Sequence, residues 1–380
     1  MTERSIDMTP HTVRLDDIVE TIHTLVECES PSDDHDAVAA SAALVAELGE
    51  ELLGAAPERI VIDGVSHLKW SFGDATRVLL VAHHDTVWPL GTLARLPFTN
   101  ADGVLTGPGC FDMKTGLAMA MHAVAALAER DGVTLLVTGD EELGSPSSRA
   151  LIEETAHGAS AALVLEASAD GGALKIERKG VSLYELVVYG VAAHAGLEPE
   201  KGVNASLELA HQLLAVAGLG DTELGTTVTP TVATSGTTSN TVPARASFKV
   251  DVRARTFAEQ DRVHAAMLAL RPVLDGAQLE VIGGANRPPF EAASAAALFD
   301  RAQAAAARLG LEPLEGVAVG GASDGNFTAG IGVPTLDGLG AVGGGAHAES
   351  EHVLVAAIEP RTLLLTELMT SLLDEPKAGA

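Results

Sequence analysis

Three short apolar runs in the first half of the chain each stop at a polar motif. VLLVA runs into His83-His84-Asp85, VTLLVTG into Asp140-Glu141-Glu142, and ALVL into Glu166. Runs this short and this uniformly apolar, alternating with helix-like stretches, read as strands buried on both faces of a mostly parallel α/β sheet. In open α/β sheets, ligands collect outside the carboxyl ends of the strands. Residues far apart in sequence are therefore predicted to meet at one sheet edge. Taken singly, a His-X-Asp is usually a hydrogen-bonded pair and two adjacent glutamates a solvated turn. Their joint placement at successive strand ends favours a site.

The spacing predicts strands at Arg77–Ala82, Val133–Thr138 and Ala161–Leu165 and helices at Ala37–Leu53 and Thr115–Arg130, the first after SPSDDHD, a cluster of good N-cap residues. After Gly180 the texture changes. VSLYELVVYG and ASFKVDVRAR alternate with period two, QLEVIGGA is strand-like, and helices fit Asn204–Val216 and Ala258–Leu274. RPPFE looks like a linker, and from Ala292 the α/β pattern returns, with a helix to Leu309, strands at Gly316–Val319 and Val333–Leu336, and a last helix near Ile358–Leu373. The expected organisation is a first part at 1–179, an inserted α+β domain at 180–289, and a second part at 290–380.

With 380 residues, two domains are the natural expectation. A net charge of −28 argues against nucleic acid or an anionic membrane as partner. No run of 18 apolar residues is present and the first residues have no apolar core, so neither a membrane span nor a signal peptide is expected. Two cysteines in unlike contexts, Cys28 and Cys110, form no disulfide framework and suit a reducing cytoplasm. Cys110 lies inside a ligand-bearing motif, but without a neighbouring cysteine it is a weak ligand candidate.

The candidate metal ligands are His83, Asp112 in GPGCFDMKTG, Glu141 and Glu142 in GDEELGS, Glu166, and His347 in GGGAHAES. In a strand-like segment His83 and Asp85 face the same way, so the carboxylate can fix the imidazole tautomer, while His84 points elsewhere as a packing or surface residue. Glu141 and Glu142 diverge, leaving one for metal and one for substrate. GGASDGN at 320–326 lacks the P-loop lysine and is read as a flexible wall of a cleft. Lys175, Arg178 and Lys179 form a small basic cluster, read as a solvated face.

Together AHHDTV, GPGCFDMKTG, DEELGS, LVLEAS, GVAAHAGLEPEKGVNA, SGTTSNTVPA, DVR and GGGAHAESE resemble the dinuclear zinc peptidase and deacylase family, from about Ser30 to Val353. That family includes glutamate carboxypeptidases, acetylornithine and succinyl-diaminopimelate deacylases, aminoacylases and dipeptidases. HHDTVWPLGTLARLPF followed by GPGCFDMKTG is most similar to the glutamate carboxypeptidase branch. The resemblance implies a catalytic domain with a mostly parallel sheet, and an inserted lid and dimerisation domain of an antiparallel sheet plus two helices. It implies two Zn2+ ions per chain, with Co2+ or Mn2+ as substitutes. One ion would be held by His83, Asp112 and Glu166, the other by Asp112, Glu142 and His347, with a cis peptide after the bridging Asp112. Asp85 would orient His83, and Glu141 would be the base that activates a metal-bridging hydroxide.

From the inserted domain the resemblance implies that His194 stabilises the oxyanion, often from the partner of a homodimer, and that Asn240 lies near the substrate. On residues alone, His194 between alanines reads as a packing or surface residue and Asn240 as a turn former. Arg253 fits a bidentate clamp for a substrate carboxylate, or a surface strand charge. Arg287 is a candidate for a second anionic substrate group, or a linker arginine. The expected activity is hydrolysis of an amide to release a C-terminal amino acid, glutamate being the first choice, from a small peptide or N-acyl conjugate. The alternatives are an N-acyl-amino-acid deacylase with the same metals, an inactive binding protein of this fold, and a mononuclear metal binder.

Overall fold

The computed structural model describes residues 12–375. The three apolar runs form strands Val78–His83, Val133–Thr138 and Ala161–Val164, every residue of them buried. They pair in parallel, with His83 opposite Thr138 and Val81 opposite Val164, so their carboxyl ends lie on one edge. Thr335–Leu336 adds a parallel strand on one side. On the other, the hairpin Glu58–Ile62 and Val65–Phe72 closes the six-stranded sheet antiparallel. The sheet is thus mixed, with a parallel centre.

Alternate residues of the central strands face opposite layers. Leu79, Val81, Leu136 and Val164 pack with Ile152, Phe327 and Val333. Helices Thr115–Ala125 and Val355–Leu373 lie against the central strand as well as against each other. All eleven residues of Thr115–Ala125 are buried. Gly116 explains how close this helix comes: a Cβ there would stand 2.0 Å from the carbonyl oxygen of Leu165. No helix among the described residues is long and apolar enough to cross a membrane.

Element ends depart from the sequence expectations where a side chain outcompetes propensity. The helix expected at Ala37 starts at His35, because Asp34 accepts hydrogen bonds from the backbone N–H groups of Asp36 and Ala37. The helix expected to reach Arg130 stops at Ala125, and the Arg130 guanidinium instead donates to the terminal carbonyls of Leu53 and Ala125. The helix expected to reach Leu274 stops at Leu268, four residues before Pro272, whose ring disfavours continuation.

By internal contacts the chain divides into two units. One comprises the residues up to Glu177, Ala292–Val319 and the chain from Ser323; the other is Arg178–Glu291 with Gly320–Ala322. The second unit is a four-stranded antiparallel sheet in the order Thr227–Ser235, Arg245–Ala254, Gly180–Tyr189, Gln278–Arg287. The first of these strands escaped the sequence reading: it is Thr-rich and carries Pro230, tolerable only because the strand is an edge. Helices Ala205–Ala217 and Phe257–Leu268 supply Leu209, Val216, Val263 and Met267 to a core with Leu186, Phe248, Val250 and Val252. Phe248 is almost wholly buried there. Phe248→Ala is expected to lower the stability of this unit by about 3–5 kcal/mol, read as a fall in its denaturant midpoint. A shift below 1 kcal/mol would contradict the packing. The unit's two ends are tied, since Arg178 and Phe290 exchange backbone hydrogen bonds of 2.9 and 3.0 Å.

Two readings of the sequence need correction. Ser323–Asn326 is not a flexible wall. All four residues are buried, and the Asp324 carboxylate accepts from the hydroxyls of Thr138 (3.1 Å) and Ser145. The basic cluster is solvated only in part: Lys175 and Lys179 are half-exposed, but Arg178 is not. Arg178 is 3% exposed and donates to the carbonyl of Gly321, because its strand enters the second unit at that point.

Candidate metal centre

The site forms at the carboxyl edge of the parallel strands, within the first unit. His83 ends its own strand, Glu141 and Glu142 occupy the turn after Val133–Thr138, and Glu166 follows Ala161–Val164 with Leu165 between. Asp112 arrives on the tight turn ahead of helix Thr115–Ala125, and its peptide bond to Met113 is cis. His347 comes from the Gly-rich loop near the other end of the chain, with a left-handed backbone at φ 60°.

Distances sort these side chains into two triads that share one member. His83 Nε2 lies 3.6 Å from Asp112 Oδ1 and 3.6 Å from Glu166 Oε1. His347 Nε2 lies 3.3 Å from Asp112 Oδ2 and 3.1 Å from Glu142 Oε2. The two oxygens of Asp112 therefore face different histidines. Glu141 is also close, its carboxylate lying within 4.8 Å of donor atoms on His83 and Glu166.

The donors fit metal ions better than they fit one another. His83 Nδ1 donates to the Asp85 carbonyl oxygen at 3.0 Å, so in the neutral ring, the form that binds metal, Nε2 carries the lone pair. That nitrogen is buried without a hydrogen-bond partner, and so is Glu142 Oε1. Two donors at about 2.0–2.1 Å from a tetrahedral cation stand roughly 3.3 Å apart, close to the spacing found here. Imidazole nitrogens and carboxylate oxygens suit zinc, cobalt and manganese alike.

Charge points the same way. Burial lowers the His83 ring, but Asp112, Asp85 and Glu166 around it prevail and hold it well above the usual histidine range. Asp112 and Glu142 push His347 up to about 10. Burial pushes Glu142 up to about 7, and burial followed by the neighbouring Asp112 raises Glu166. Raised histidines beside raised glutamates mark carboxylates that draw positive charge into the cluster, as protons or as metal ions.

Asp85 does more than orient His83. Besides standing 3.4 Å from His83 Nδ1, its carboxylate accepts from Ser32 Oγ at 2.6 Å and from the backbone N–H groups of Glu141 and Glu142 at 3.3 and 3.2 Å. One buried acid thus fixes both the histidine and the two-glutamate turn. His84 is a packing residue, its ring bonded to Ser41 Oγ and the Ser66 carbonyl. Behind the turn, the Asp140 carboxylate accepts from Ser147 and Ser148, and Ser147 also contacts His67 at 3.1 Å. This buried network had no periodic signal in the sequence.

The second unit separates the remaining candidates. His194 and Asn240 are neighbours and exposed: Ala193–His194 pairs with Thr241–Val242, and Ala195 N–H donates to the Asn240 carbonyl. His194 Nδ1 accepts from Gly196 N–H at 3.1 Å, which leaves the proton of this exposed ring on Nε2. Arg253 and Arg287 both register with Val181, at the other end of the strand that finishes at Tyr189. Eight residues of strand span roughly 26 Å, which places Arg253 at the end of the sheet away from Tyr189, after which the chain continues to His194. Arg253 is half-buried and bidentate to Asp251 at 2.8 and 2.9 Å. Arg287 is no linker residue: it is buried at the end of its strand, where its carbonyl accepts from Gln260 Nε2.

A mixed α/β unit with a carboxylate-rich metal centre at its strand ends, carrying an inserted α+β unit, defines a metallohydrolase of the peptidase and deacylase kind. Residues 79–371 match the model of Peptidase family M20/M25/M40, and the chain belongs to that family. It is 32% identical over 378 residues to carboxypeptidase G2 of Pseudomonas sp. (strain RS-16), covering 93% of this chain and 89% of the relative. It is 32% identical over 213 residues to succinyl-diaminopimelate desuccinylase 2 of Shewanella loihica, covering 50% of this chain and 56% of that one. Among solved structures it is similar to an M20 family metallo-carboxypeptidase from Sulfolobus solfataricus, with a TM-score of 0.72 at 18% identity over 93% of this chain and 98% of the other.

Proposed function

We propose that the chain is a dinuclear metal-dependent carboxypeptidase that cleaves an amide to release a C-terminal amino acid, glutamate being the first choice. The observation that carries this is the pair of triads sharing Asp112. His83, Asp112 and Glu166 would hold one ion and Asp112, Glu142 and His347 the other, zinc being the first expectation. Divalent cations held there would supply Lewis acidity, lowering the pKa of water and polarising a substrate carbonyl. Glu141 takes the proton of the attacking water and returns it to the leaving amine. Asp85 keeps His83 in the tautomer that presents Nε2. His194 supplies its Nε2–H to the oxyanion, and Asn240 stands beside it.

Arg253 clamps the substrate's carboxylate by exchanging Asp251 for it, and Arg287 is assigned to a second anionic group. The family resemblance of GVAAHAGLEPEKGVNA supports His194 reaching the substrate from a second copy, in a homodimer through the inserted unit. A cytoplasmic location rests on the two unpaired cysteines alone.

Glutamate is supported by the glutamate-carboxypeptidase resemblance of HHDTVWPLGTLARLPF, and carboxypeptidase action by the near full-length similarity to carboxypeptidase G2. The partial similarity to a succinyl-diaminopimelate desuccinylase favours a second reading, deacylation of an N-acyl amino acid. Metal-reconstituted protein is expected to turn over acyl-glutamate and pteroyl-glutamate faster than acetylornithine and succinyl-diaminopimelate at equal concentration. Faster turnover of the latter pair would replace the carboxypeptidase with the deacylase.

A further inference from the structure

Beside the metal centre lies a buried carboxylate that the chemistry above does not use. Glu351 is 4% exposed and collects four N–H donors. Its Oε1 accepts from the backbone N–H of Phe111 at 2.8 Å and of Asp112 at 3.0 Å. Its Oε2 accepts from Gly109 N–H at 2.9 Å and from the Trp88 indole N–H at 2.8 Å. Backbone N–H groups in an irregular buried turn must find acceptors somewhere. Here a single side chain provides them for three of the turn's residues.

The fold delivers Glu351 to that turn by strand pairing. His352–Leu354 pairs with Val104–Thr106, the strand that leads directly into the Asp112 turn. Gly343–Gly344 pairs back on His352–Val353 and pins both feet of the intervening loop. Within the loop, Ala348 N–H donates to Gly345 and Glu351 N–H to Ala348, each at 2.9 Å, making two successive turns. Gly345 permits the first, with φ 78° and a would-be Cβ 2.6 Å from the Ser350 carbonyl. One seven-residue stretch, Gly345–Glu351, therefore grips Asp112 twice: His347 faces its carboxylate and Glu351 holds its backbone.

We propose that Glu351, aided by Trp88, is a positioning residue that sets the direction of the Asp112 carboxylate so that its two oxygens serve both triads. The proposal rests on the dinuclear reading of the site. Glu351→Gln keeps the side-chain shape, but its amide N–H group must face donors, so the turn loses acceptors. Trp88→Phe keeps a ring and removes one donor.

The test is competition with a chromophoric chelator for Zn2+ and Co2+, with visible absorption of the Co2+ forms and near-UV circular dichroism as a check on folding. E351Q is expected to bind metal about 10- to 100-fold more weakly, with an altered Co2+ spectrum and a lower kcat at little-changed KM. W88F is expected to shift in the same direction by a smaller factor. Folded E351Q that loads two ions with wild-type affinity and spectrum would overturn the proposal. Should E351Q not fold, wild-type metal affinity in W88F would overturn it equally. Wild-type protein that binds fewer than two ions would instead remove the dinuclear reading, and this inference with it.

Discussion

Replacing Glu141 by alanine is expected to lower kcat by about 10²–10⁴-fold while two metal ions remain bound. The expectation follows from how the turn is held. Asp85 accepts the backbone N–H groups of both Glu141 and Glu142, so removing one side chain leaves the direction of the other intact. Glu142 stays 3.1 Å from His347, and the Asp112-centred triads are untouched. Elemental analysis alongside steady-state kinetics reads the result directly. Because the Glu141 carboxylate also stands within ligand reach of His83 and Glu166, the experiment has a sharp alternative. Loss of one equivalent of metal in Glu141→Ala would move Glu141 from base to ligand.

Asp112→Asn is expected to empty both positions together and to reduce activity to background. Asparagine preserves shape but has one neutral acceptor oxygen in place of two anionic ones, and the unmatched amide N–H group would face a histidine nitrogen. In the wild-type arrangement Asp112 Oδ1 faces His83 and Oδ2 faces His347, so neither triad is complete without it. A drop of at least about 100-fold in metal affinity is anticipated for both ions, at the upper end of what altered ligand surroundings cost. His347→Ala, which touches one triad only, is the comparison. If Asp112→Asn still retained one equivalent of tightly bound metal, the shared-ligand geometry would be refuted.

The clustering of the candidate ligands was legible where two simple signals coincide, an apolar strand ending and a polar motif starting. His83, Glu142 and Glu166 each carried that mark. Asp112 and His347 lie in Gly-rich turns and were placed by resemblance. Glu351 carried no mark at all: in AESE it is one acid beside another, and only the pairing of His352–Leu354 with Val104–Thr106 brings it under Asp112. Separation of His194 from Arg253 was equally hidden, since period-two alternation reports which residues share a face but not which end of a strand meets which neighbour. One helix limit was missed because Arg130 caps two helices from outside both.

The paired backbone of Arg178 and Phe290 makes the inserted unit a cassette. Both ends of Arg178–Glu291 leave from a single rung, so a short turn could replace that segment without stretching the remaining chain. A related insert with a different surface could be spliced in at the same rung. The two crossings of this segment are adjacent, so substitutions inside it can accumulate without moving the strand ends that carry His83, Glu142 and Glu166. A chain built this way can vary one of its units while leaving the backbone of the other alone.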